Sequence, residues 1–225
     1  MKGKTPTVTF FDKPPKYLLK GFSKQIHAQK FITNCEVRLG NLQTYNSIED
    51  NSRKDQTEGE SHVLTIEKIK SYHINRKTQQ VINSSSSLGV MHHKGSISNI
   101  VYIFCSSSPE VNRKLFFKKF GPHHVEIFNP KAFVNAISLA AKSKKIFGLN
   151  LLNIITYKVS YNYGEVSNEF DMFNFKALIA QKPPNFSPEC EFRIALIYEL
   201  DVDLELVEEY LTLKLENCQR FARIV

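Results

Sequence analysis

FSPECEFRIALIYEL, residues 186–200, is the stretch on which the fold turns. Side chains alternate along a strand with a period of two. A strand here carries Glu189, Glu191 and Arg193 on one face and Cys190, Phe192, Ile194, Leu196 and Tyr198 on the other. The second face is apolar enough to belong to a core. The first is a charged platform with two readings. It is either a solvated edge or a pair of carboxylates about 7 Å apart along a strand, one gripping a hydroxyl while the other orients a nucleophile.

Working outward, NIVYIFC (99–105) is the most apolar run and reads as a strand near the centre of a sheet. It ends in Ser106, Ser107, Ser108 and Pro109, so these hydroxyls stand at the end of the sheet, either as a simple turn or cap or as part of a site. KYLLKG (16–21) reads as a first strand, followed by a helix over SKQIHAQKFITNC with Ser23 as N-cap and Asn34 near its end. EVRLGNL (36–42) and SHVLTIEKIKS (61–71) alternate as strands. Residues 72–98 are rich in Ser, Asn, Lys and His and read as a hairpin or a mobile loop.

EVNRKLFFKKFG (110–121) suits a short helix closed by Gly121, and HHVEIF (123–128) a strand. The clearest helix is NPKAFVNAISLAAKSKKIFG, with Asn129 as N-cap, Pro130 in the first turn, and Phe133, Ile137 and Ala140 on one face. LLNIITYKVSYNYGE (151–165) reads as a strand or two. EFDMFNFKALIA (169–180) reads as a helix broken by Pro183 and Pro184, and the tail adds at least one short element. The expectation is a mixed α+β single domain over 1–225, with 1–15 as an extended lead-in.

The polar segment RLGNLQTYNSIEDNSRKDQTEG (38–59) begins as a strand and then offers almost nothing to a core. Arg53 among Asp50, Asp55 and Glu58 is either a self-satisfied salt-bridged loop or a bidentate fork for a phosphate or carboxylate. Tyr45 is placed to stack on a ring or close a pocket wall.

Composition narrows the class. The chain has 225 residues, 42% hydrophobic and 23% charged, which is ordinary for a globular protein with its own core. No apolar run reaches the roughly 18–20 residues of a membrane span. The start has no apolar h-region, so a cytoplasmic location is expected. Cys35, Cys105, Cys190 and Cys218 lie far apart and read as buried free thiols. The pairs His92-His93 and His123-His124 point to opposite faces of a strand, so no metal site is expected. Lys and Arg number 30 against 22 acids, a net charge of +8, which favours a polyanionic partner or is a merely basic surface.

The order strand, helix, strand, then Tyr45, Glu49, Asp50, Arg53, Asp55, Glu58 and Gly59, resembles bacterial ADP-ribosyltransferase-like toxins of phage-defence toxin–antitoxin systems, including the CmdT-like mRNA ADP-ribosyltransferases. The serine-ended strand and Phe186, Ser187, Glu189, Glu191, Phe192 and Arg193 are similar to the same group.

The resemblance implies a split, twisted β-sandwich core with peripheral helices that cleaves NAD and transfers ADP-ribose. It makes Glu191 the catalytic glutamate, which binds a ribose hydroxyl and stabilises positive charge as nicotinamide leaves, and gives Glu189 the acceptor. Tyr45 and Arg53 join the catalytic set. Ser106 and Ser108 fill the serine strand that steadies the glutamate and ribose, and Lys16, Tyr17, Arg53 and Asp55 are the remaining cofactor-binding candidates. Many such transferases carry Arg or His on the first strand. Here the strand offers Lys16, Tyr17 and Lys20, so either a lysine substitutes or Arg53 supplies the phosphate contact.

The expected partners are RNA as acceptor and an antitoxin protein. Basic residues 68–77 and 113–119 would guide the acceptor, although Phe116, Phe117 and Phe120 also suit the core face of an amphipathic helix. The rival readings are a metal-independent ribonuclease using His123 with a lysine, and a non-catalytic nucleic-acid- or protein-binding module.

Overall fold

The computed structural model describes residues 7–42, 60–74, 81–96, 99–144, 150–162, 179–198 and 208–225, with the backbone alone described across 60–74 and 81–96. Strands β1 (Thr7–Phe10) and β2 (Leu18–Phe22) precede helix α1 (Gln25–Thr33) and β3 (Glu36–Asn41). Strands β4 (Glu60–Ile74), β5 (Val81–Ser96) and β6 (Ile100–Ser107) follow. Next come α2 (Arg113–Phe120), β7 (His123–Ile127), α3 (Pro130–Ser143) and β8 (Leu151–Lys158). A 3-10 helix (Pro184–Glu189), β9 (Glu191–Tyr198), β10 (Tyr210–Lys214), a second 3-10 helix (Cys218–Arg220) and β11 (Ala222–Ile224) complete the described elements. The architecture is mixed α+β, dominated by strands.

The main sheet runs β1-β8-β9-β6-β2-β7-β11, antiparallel except where β1 pairs parallel with β8. β6 and β9 are paired along their full length, from Ile100 opposite Tyr198 to Ser107 opposite Glu191. On its other edge β6 meets two different strands: β2 through Leu19 opposite Ser107, and β3 through Gly40 opposite Ile103. The sheet therefore forks, with β2-β7-β11 on one branch and β3-β10 on the other. β4 and β5 form a separate antiparallel hairpin, so the described residues of 72–98 are the end of β4 and the whole of β5.

The centre of the sheet is buried on both faces. Phe104, Phe192, Ile194 and Leu196 join Phe31, Phe133 and Ile137 of the helices on one side, while Val101, Ile103, Ala195 and Ile197 pack with Ile155, Tyr157, Ile179 and Ala180 on the other. α3 forms as expected. The Asn129 side chain accepts from the Ala132 amide, Pro130 opens the first turn, and Phe133, Val134, Ile137 and Ala141 recur on the buried face. Burying a ring such as Phe133 contributes about 1.5–3 kcal/mol.

α1 departs from expectation at its start. β2 continues through Phe22, paired with His123, so the chain needs Ser23 and Lys24 to turn. Lys24, not Ser23, is the N-cap, and it makes no side-chain capping bond. Asn34 closes the helix. α2 is capped by the Asn112 side chain and ends at Gly121, whose φ of 95° places it in backbone space that favours glycine. A Cβ on Gly21 would stand 2.5 Å from Cβ of Phe120, so α2 is seated directly on β2.

Candidate functional site

A cavity of about 410 Å³ opens where β6 ends at the fork of the sheet. Its described lining draws on β2 (Lys20, Phe22), α1 (His27), β6 (Cys105, Ser106, Ser107), α2 (Phe116, Lys119, Phe120), Lys182, and the carboxylates Glu189 and Glu191 with Arg193. Tyr210 of β10 also lines it, so both branches of the fork reach the site.

The charged face of β9 is there, but it is not solvated. Glu191, Arg193 and Glu189 are all buried. Arg193 holds Glu191 with two donors, Nε at 2.7 Å from Oε1 and an Nη at 3.2 Å from Oε2, and gives its other Nη to the Ile179 carbonyl at 2.9 Å. Lys182 lies 3.0 Å from the same carboxylate and 3.4 Å from Glu189. Lys119 reaches Glu189 from α2 at 2.6 Å. The result is an alternating series, Arg193, Glu191, Lys182, Glu189, Lys119, in which every carboxylate has a cation on each side.

Glu189 does not reach this series along the strand. Pro188 has no N–H for a ladder, and Cys190 turns the chain through the left-handed region at φ 43°. Glu189 thus ends the 3-10 helix, and β9 begins at Glu191. Lys182 is placed by a short bridge: its amide donates to the Ser160 carbonyl, and the Ser160 amide donates to that of Ala180. The Glu191 amide donates to the Tyr161 hydroxyl at 2.7 Å.

Electrostatics follow from this geometry. Burial alone would raise the Glu191 pKa. The charges of Arg193 and Lys182, with hydrogen bonds from Arg193 and the Cys105 thiol, outweigh it and hold the carboxyl well below the usual carboxylate range. Burial, reinforced by the Glu191 charge, pushes the Cys105 thiol up to about 12, so it remains a protonated donor. Lys20 donates to the Cys105 carbonyl at 2.8 Å and lies over the Phe104 ring. Four cationic side chains, Lys20, Lys119, Lys182 and Arg193, share the lining with two carboxylates, so the cavity favours an anion.

The structure brings some expected site residues together and leaves others apart. Glu189, Glu191 and Ser106 line the cavity. The Ser106 hydroxyl is engaged with the Phe192 carbonyl at 2.9 Å, and that of Ser108 with the Cys190 carbonyl at 3.0 Å. Both serines fasten β6 to the start of β9, and Ser107, opposite Glu191, shares the lining. Lys16 is exposed and Tyr17 packs against the Leu19, Val111 and Phe116 cluster, so neither is among the described lining residues. Tyr45, Arg53 and Asp55 lie outside the described residues.

Lys182 and Tyr161 carried no periodic signal that reasoning from sequence could use. Arg193 did, since the period-two reading already placed it beside Glu191. Among the described residues, no group of three or more His, Cys, Asp or Glu side chains is arranged to hold a metal, and no helix is long and apolar enough to cross a membrane. All four cysteines are free. His124 is buried, stacked on Phe117 and bonded to the Gly121 carbonyl, and burial lowers its pKa; neither it nor His123 is among the described lining residues.

Comparison of the chain with protein-family models, with characterised proteins and with solved structures returns no match.

Proposed function

We propose that the chain is an NAD-dependent ADP-ribosyltransferase of the toxin type, modifying a macromolecule in bacterial anti-phage defence, with RNA the acceptor its net positive charge favours. The observation that carries this reading is the meeting of Glu189 and Glu191 with Lys20, Lys119, Lys182 and Arg193 around one cavity. A phosphate site alone would need only the cations. A sugar site alone would need only the carboxylates. A dinucleotide with ribose hydroxyls and a pyrophosphate uses both.

The residues present fit such a group. The volume lies within the roughly 300–1,000 Å³ of small-molecule sites. Phe22, Phe116, Phe120 and Tyr210 offer apolar or stacking wall, and the lysines offer point charges for phosphate. NAD supplies the bond that is broken and the ADP-ribosyl group that is moved. Glu191, fixed as a carboxylate, accepts a hydrogen bond from a ribose hydroxyl and does not act as a proton shuttle. Glu189 faces the acceptor. A sheet forked on the edge of β6 is compatible with the split sandwich of such transferases.

A second reading, a non-catalytic anion-binding module, is favoured by one fact: both carboxylates already have cationic partners. Incubation with labelled NAD and total RNA or protein separates the two. Label on an acceptor that disappears in a folded Glu191→Gln variant supports transfer. Binding of ADP with no label and no release of nicotinamide overturns it in favour of the module.

A further inference from the structure

The five-membered charge series is not uniform along its length. At one end Arg193 is 1% exposed and tied to Glu191 and to the Ile179 carbonyl, while the backbone beneath Glu191 is held by Tyr161. At the other end the Lys119 side chain is 28% exposed, the most accessible cation of the series, and it leans over the rings of Phe186 and Phe120. The inner end is clamped by several bonds. The outer end is a partly exposed lysine on a two-turn helix.

An anionic ligand entering this cavity meets a conflict at that outer end. Lys119 is a natural phosphate contact, but Glu189 lies 2.6 Å from it and repels the same phosphate. Burying a carboxylate without a partner is costly. Glu189 has a second cation within reach, however: Lys182, now 3.4 Å away and shared with Glu191.

We infer that Lys119 exchanges partners, clamping Glu189 in the resting protein and moving to the pyrophosphate of a bound nucleotide, while Lys182 takes over Glu189. The inference deepens the transferase reading and rests on it for the ligand's chemical class. The Lys119–Glu189 contact is a built-in inhibitory pair. It occupies a phosphate-binding lysine and masks the carboxylate that faces the acceptor until the donor has arrived. Donor then binds before acceptor, because Oε1 of Glu189 becomes available only after Lys119 has left it, while Lys182 keeps Oε2. Lys119 is in this sense a positioning residue.

The test is calorimetric titration of the full chain with inorganic pyrophosphate and with ADP at fixed salt. Removing the competitor in Glu189→Gln should tighten pyrophosphate binding about fivefold, the scale of one partly screened ion pair. Lys119→Met should weaken it by a similar factor, and Glu189→Gln should tighten binding clearly less in the Lys119→Met background than in the wild type. Weaker or unchanged binding in a folded Glu189→Gln protein overturns the exchange, as does failure of the wild type to bind either probe. Should Glu189→Gln fail to fold, undiminished pyrophosphate binding by Lys119→Met overturns it equally.

Nicotinamide release separates this from the broader reading. Release by the wild type with unchanged pyrophosphate affinity in Glu189→Gln refutes the exchange and leaves the transferase standing. The expected tightening without any release refutes the transferase and leaves the exchange.

Discussion

Two arginine–glutamate pairs in this protein have the same 2.7 Å contact: Arg193–Glu191 at the start of β9, and Arg223–Glu126 across β11 and β7. Their surroundings are opposite. Arg193 is 1% exposed, whereas the Arg223 side chain is 64% exposed and lies over the ring of Phe128, just past the end of β7. In the outer pair Arg223 keeps most of its hydration although Glu126 is only 13% exposed, and water screens the contact from the arginine's side, so the pair gains little. The buried pair has lost nearly all of its hydration, a loss that Lys182, the Ile179 carbonyl and the Cys105 thiol only offset. Contact distance is thus a poor guide to worth. A buried pair of this kind is a weak device for stability, and in a cavity wall it points instead to a site.

The largest effect should come from breaking the buried pair on one side. Arg193→Met leaves Glu191 with Lys182 and the Cys105 thiol and should cost about 3–5 kcal/mol by urea denaturation. A loss below about 1 kcal/mol would mean that water reaches Glu191 and that the contrast with the surface pair is false.

Acid should act on the same group. The folded pKa of Glu191 is depressed, so its contribution is fully present above the ordinary unfolded carboxylate range and is lost as pH falls through and below that range. Thermal stability of the wild type should therefore fall steeply below about pH 4.5. Glu191→Gln, which lacks the titrating group, should fall less over the same interval; parallel curves would sink the assignment.

Replacing both members, Glu191→Leu with Arg193→Met, should cost less than either single change, about 0–2 kcal/mol, because no uncompensated charge remains between them and Lys182 keeps Glu189. The transfer proposed for the site should nevertheless vanish. A double variant as unstable as Arg193→Met would show that the hydrogen bond to Ile179 matters more than the ion pair.

Smallest of all should be Arg223→Ala. Screening at so exposed a site limits it to under about 1 kcal/mol, and 1 M salt should erase most of what there is. A larger loss would reassign the effect to the packing of the Arg223 stem on Phe128.

Much of the frame was legible because local chemistry and tertiary burial agree. β6 and β9 read as strands from their apolar runs, α3 from Asn129, Pro130 and its spaced apolar residues, and α2 from its closing glycine. Ser23 misled because its capping chemistry competes with the extension of β2 pairing to Phe22, opposite His123, and the sheet wins. Alternation placed Glu191 and Arg193 side by side correctly but carried Glu189 onto the same strand, since a period-two count passes over Pro188 and the left-handed Cys190.

Whether that face was wet or dry could not be read from β9 at all. It depends on cover from Val159, Ile179 and Ala180, which lie outside the strand and its pattern. Lys182 was invisible for the same reason: its position comes from hydrogen bonds to Ser160, not from any pattern of its own.

The place of β9 also bears on how the protein is made. It inserts between β8 and β6, both of which precede it in the chain. As the polypeptide emerges from the ribosome, each of those strands presents an open, apolar edge until residues 191–198 arrive, a period in which mispairing and capture by chaperones compete with closure. The two glutamates and their arginine emerge with that last central piece. No nascent chain that stops short of residue 193 can carry these three side chains, so the chemistry proposed for the site waits for β9.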